Sequence, residues 1–110
     1  MVMAKLVKSI KGDFDQILQN IVNGILNSSM SATLEETEDF RGENARCSVR
    51  VFERYSYFGN NRVSMTVTLF QEGSGSIHVS GITAGGSQAI FFKINTVGEE
   101  AFLDKLREIL

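Results

Sequence analysis

The chain has 110 residues, 43% of them apolar and 22% charged, the size and balance of one ordinary globular domain spanning 1–110. Eleven Lys and Arg against thirteen Asp and Glu leave a net charge of −2, which removes the electrostatic basis for bulk affinity to nucleic acid or an anionic membrane. One cysteine, Cys47, excludes an internal disulfide, and one histidine, His78, leaves a zinc site short of ligands, so neither a metal nor a cofactor is expected.

In chain order, Met3 to Ile10 alternates weakly and reads as a strand; Lys5 and Lys8 interrupt what would be the apolar core of a signal peptide. The next run, Asp13 to Ser28, places Phe14, Ile17, Leu18, Ile21, Val22, Ile25 and Leu26 on one helical stripe. Asp13 is its N-cap, and Gln16 stands where a capping box would return a hydrogen bond. Gly24, costly inside a helix, implies a close neighbour such as a strand backbone. Ser31 to Asp39 reads as an acidic strand at a sheet edge, where charge discourages unwanted pairing.

Three strands follow as a meander. Ala45 to Phe58 sets Cys47, Val49, Val51, Glu53, Tyr55 and Tyr57 against Arg46, Ser48, Arg50, Phe52, Arg54 and Phe58 on the other face. A three-residue turn at Gly59, Asn60 and Asn61 would place Tyr55 opposite Met65 and Val51 opposite Leu69, so that the apolar faces coincide. A second such turn at Gly73, Ser74 and Gly75 places Leu69 opposite Val79 and Phe70 opposite His78. Gln88 to Ile94 reads as a further strand. The chain closes with a helix capped by Thr96, with Phe102, Leu103, Leu106, Ile109 and Leu110 as its stripe. The order β-α-β-β-β-β-β-α predicts an α+β two-layer sandwich, an antiparallel sheet with both helices on one face.

On this register the face away from the helices carries Arg50, Phe52, Arg54, Phe70 and His78, with Thr66, Thr68, Ser80 and Ile82 between them. Aromatic and arginine side chains on an open sheet suit a second subunit, a planar ligand or plain surface; the first is the expectation, a homodimer built on that face. Glu53 breaks the alternation of the apolar face. A buried carboxylate there would be a general acid or base, with Tyr55 and Tyr57 as ligand-binding neighbours; a rim position beside the tyrosines is the plainer alternative. Gly85, Gly86, Ser87 and Gln88 read as a tight turn rather than an anion cradle, since no Lys and no helix follow. Cys47 reads as a small core hydrophobe.

Glu53-Arg54-Tyr55-Ser56 with Asn61-Arg62-Val63-Ser64, then Gly85-Gly86-Ser87-Gln88, then Phe91-Phe92-Lys93-Ile94-Asn95-Thr96 with Gly98-Glu99, resemble a family of small uncharacterised bacterial proteins of about this length. The resemblance implies a bacterial, cytoplasmic domain and carries no activity, substrate or catalytic residue. The expectation is therefore a non-enzymatic interaction or ligand-binding module that self-associates, away from membranes and nucleic acid. The alternative is a small enzyme or small-molecule pocket between sheet and helices, using Glu53.

Overall fold

The computed structural model describes residues 2–28, 31–56, 61–85 and 92–110. In chain order these form β1 (Val2–Ile10), α1 (Phe14–Ser28), β2 (Thr33–Arg41), β3 (Ala45–Ser56), β4 (Asn61–Glu72), β5 (Ile77–Gly85) and α2 (Phe92–Ile109). The strands make one antiparallel sheet in the order β1-β5-β4-β3-β2, with both helices on one face, the expected α+β two-layer arrangement. The strand expected over Gln88 to Ile94 lies in part outside the described residues, and its last residues, Phe92 to Ile94, open α2 instead. Thr96 is accordingly inside that helix rather than capping it.

The apolar stripes fold as their periodicity dictates. Phe14, Leu18, Ile21 and Ile25 of α1 and Phe102, Leu103 and Leu106 of α2 are buried against Phe52, Val63, Met65, Val67, Leu69, Ile77 and Val79 of the sheet. Asp13 caps α1, its carboxylate accepting from the Gln16 amide at 2.9 Å. The Gln16 side chain turns forward to Asn20 rather than back to the cap, so only half of the capping box forms.

Two glycines set the distances between layers. A Cβ at Gly81, in the middle of β5, would lie 2.4 Å from Leu106 Cδ2, so α2 rests where this strand lacks a side chain. At Gly24 the neighbour is Ile109 Cδ1 of α2, at 2.5 Å from an added Cβ, and so a helix rather than the strand backbone expected.

The β4–β5 register is the expected one, with Leu69 opposite Val79 and Phe70 opposite His78. The β3–β4 register is not. Met65 faces Phe52 rather than Tyr55, and the last pair among the described residues is Ser56 with Asn61. The pairing is displaced by three positions, an odd number, so the two faces of β3 exchange places relative to β4. Phe52, expected on the outer face, is completely buried beneath the helices, and Arg50 and Arg54 share its side of the sheet.

Arginines close the margin of this core. The Arg46 guanidinium lies 3.9 Å from the centre of the Phe14 ring and pairs with Asp15 at 2.7 Å; that contact lowers the Asp15 carboxyl and raises the arginine. Arg54 lies 4.9 Å over Phe102, and burial draws its guanidinium below the ordinary value. In both, the aliphatic stem covers apolar surface and the cation meets the negative face of a ring. Buried Ser48 donates to Asp39 Oδ1 at 2.5 Å, and Arg50 donates to the same oxygen at 3.1 Å, which together lower the Asp39 carboxyl.

Candidate functional face

Side chains of alternate residues point to opposite sides of a sheet, so the pairing assigns every strand residue to the helix-covered face or to the other, open face. Across the open face runs one row of Ser9, His78, Phe70, Cys47 and Phe40, followed by Val7, Ser80, Thr68, Val49 and Glu38. Next come Lys5, Ile82, Thr66, Val51 and Glu36, then Met3, Ala84, Ser64, Glu53 and Thr33. Tyr55 and Arg62 extend it at one end. After a bulge between Leu34 and Glu36, Glu36 and Glu38 of β2 face this side, while Asp39 faces the helix side with Ser48.

An antiparallel sheet can face water on one side, but its solvent side is then normally polar. Here Met3, Val7, Phe40, Tyr55, Phe70 and Ile82, the large apolar residues left exposed among those described, all project from the open face. Met3 and Val7 are each 64% exposed and Phe40 is 58% exposed. Val49, Val51 and Cys47 are half-buried between them. A shallow apolar hollow is lined by Phe40, Cys47 and Phe70 together with residues of the β2–β3 turn. Beside it the Phe70 and His78 rings stack with centroids 6.3 Å apart, and the Ser9 hydroxyl lies 2.9 Å from His78 Nδ1.

The sites expected from sequence are partly regrouped by this geometry. Phe70 and His78 lie on the open face as expected, whereas Arg50, Phe52 and Arg54 lie on the helix side and form no part of it. Glu53 and Tyr55, expected between sheet and helices, are on the open face instead. Glu53 pairs with Arg62 across the β3–β4 ladder at 3.7 Å, and the Tyr55 amide donates to Ser31 Oγ. Tyr57 lies outside the described residues. The hollow at the helix–sheet margin is lined by Ile10, Ile17, Ile21 and Ile109, whereas Glu53 and Tyr55 lie on the opposite side of the sheet. Cys47, expected in the core, sits on the open face next to Phe70.

Met3, Val7, Phe40, Val49 and Val51 were not predicted as parts of this surface. The signal for four of them was alternation: Val49 and Val51 share one side of β3, and Met3 and Val7 share one side of β1. Among the described residues, no helix is long and apolar enough to cross a membrane, and no cluster of His, Cys, Asp and Glu is placed to hold a metal ion. No curated protein matches the chain. One family model does, over residues 3–110.

Proposed function

The chain belongs to DUF6054, a family of unknown function, and since membership brings no activity with it, we propose a function from the geometry alone. The protein is an interaction module that works through the open face of its sheet, and it self-associates there as a homodimer. The observation that carries this reading is the confinement of the exposed large apolar side chains, Met3 to Ile82, to one side of one sheet. Closing that face against another would complete a second core, as in two sheets packed about 10 Å apart.

A small apolar ligand held between Phe40 and Phe70 would use only one corner of the same surface, so the dimer accounts for more of it. Catalysis through Glu53 has less support, because its carboxylate already faces Arg62. The single free cysteine accords with a reducing cytoplasmic setting, and the overall negative charge with partners other than nucleic acid.

Light scattering and sedimentation across a dilution series test the proposal. The wild-type chain is expected to be a dimer that dissociates on dilution, and Phe70→Ser to shift the midpoint to higher concentration by about tenfold or more, the effect of losing one large apolar anchor on the central strand of the interface. A wild-type monomer at every concentration would overturn it.

A further inference from the structure

When two copies of a flat sheet face pack with their strands aligned, the two-fold axis in the plane between them lies either along the strands or across them. The charges on the open face distinguish the two. Its one lysine, Lys5, stands on edge strand β1, and two of its acids, Glu36 and Glu38, stand on the opposite edge strand, β2. Lys5 and Glu36 belong to the same cross-strand row, with Ile82, Thr66 and Val51 between them. Glu53, on β3, already faces Arg62 within its own sheet.

An axis across the strands lays β1 over β1 and β2 over β2, bringing the glutamates of one copy onto those of the other. An axis along the strands, passing over central strand β4, lays β1 over β2. Then Lys5 of each copy meets Glu36 of the second copy, twice by symmetry, while Ile82 meets Val51 and Phe70 meets its own equivalent. The twist of about 30° between aligned sheets moves Lys5 by less than one row, still within reach of Glu36 or Glu38. A sheet of five strands, each nine residues or longer, offers a face of about 700 Å² per copy. A pair therefore buries about 1,400 Å², inside the roughly 1,200–2,000 Å² of stable interfaces.

Resting on the proposed self-association, we infer that the open face takes a second copy of this chain about a two-fold axis along β4, with Lys5 on β1 of each copy paired to Glu36 on β2 of the other. The ion pairs lie at the rim and choose the orientation, while Phe70, Ile82 and Val51 supply the apolar contact.

Charge reversal tests this. Lys5→Glu alone and Glu36→Lys alone are each expected to raise the dimer dissociation constant about tenfold at low salt, since each reversal creates two like-charge contacts. The double variant K5E/E36K is expected to return it to within about threefold of wild type. Both positions are exposed on edge strands, and thermal melts confirm that the variants fold. A double variant no tighter than the single ones overturns the axis along β4; the self-association reading still stands if Phe70→Ser dissociates the wild-type dimer. A wild-type chain that never dimerises overturns both.

Discussion

Phe52 and Phe70 are the same residue type on the same sheet, and the two faces treat them differently. Phe52 lies at 0% exposure under the helices, whereas Phe70 keeps 40% of its surface on the open side. The helix-covered face is finished: apolar stripes meet, Gly81 leaves room for Leu106, and arginines stacked on Phe14 and Phe102 seal its margin. The open face has comparable apolar side chains with nothing opposite them among the described residues. Burial on the first face holds the single chain together, and exposure on the second is what the proposed self-association rests on.

The comparison is most sharply tested by truncating one phenylalanine on each side. Phe52→Ala is expected to cost about 3–5 kcal/mol in urea unfolding, the loss of a filled core site. Phe70→Ala, measured at a dilution where the chain is monomeric, is expected to cost less than about 1 kcal/mol. Equal losses would mean that the open face is already packed within one chain.

Next in size comes the contact of helix with sheet. Gly81→Ala is expected to destabilise by about 1–3 kcal/mol, because the new methyl group must displace Leu106 and Leu103, both fully buried. Gly24→Ala meets Ile109, only partly buried near the end of the chain, and gains about 1 kcal/mol of helix propensity. It is therefore expected to be close to neutral in thermal melts, and the difference between the two variants measures how tightly α2 is held on β5 compared with α1.

The smallest expected effect concerns the polar flank of the covered face. The Asp39 carboxyl is held below its ordinary value of 3.8 by the Ser48 hydroxyl and Arg50. A lowered carboxyl contributes stability that is fully present above the unfolded value and is lost as the pH falls through the folded one. Stability should therefore decline below about pH 4, and Asp39→Asn should make that decline shallower while leaving the open face unchanged. An acid limb identical in the variant and the wild type would assign the loss to other carboxylates, Asp15 beside Arg46 first among them.

Both helices and the β4–β5 hairpin were legible in the sequence because each signal is local and one-sided. Leu103 and Leu106 have apolar neighbours only along one stripe, and Leu69 alternates with Thr68 and Phe70 within a strand whose other face is mostly hydroxyls. Strand β3 is different. Its open side carries Cys47, Val49, Val51 and Tyr55, while its core side carries Phe52 among arginines and Ser48. Matching apolar face to apolar face therefore chose the wrong pairing, since the arginines count as core only once Phe14, Phe102 and Asp15 are in place beside them. The same ambiguity hid most of the candidate site: Phe70 and His78 could be placed from their own hairpin, but Cys47, Val49, Val51 and Glu53 depended on a register decided by tertiary contacts. The start of α2 was missed for a related reason, because Phe92 and Ile94 fit a strand pattern as well as a helical one.

The pairing of β1 with β5, Val2 against Gly85 and Ile10 against Ile77, joins segments from opposite ends of the sheet-forming chain. A strand whose partner lies so far along the polypeptide gains nothing until the long intervening loop has been closed, and contacts of that kind slow folding. During synthesis the first strand to emerge waits with Leu6 and Ile10 unpaired, while β2, β3 and β4 can already assemble as a meander. An incomplete sheet then presents β5 as a bare edge beside the apolar side chains of its open face, the kind of surface through which folding intermediates aggregate. The interval between making β5 and docking β1 and α2 is thus when this chain is most exposed to misassembly, and Lys5 and Lys8 on the waiting strand keep it charged through that interval.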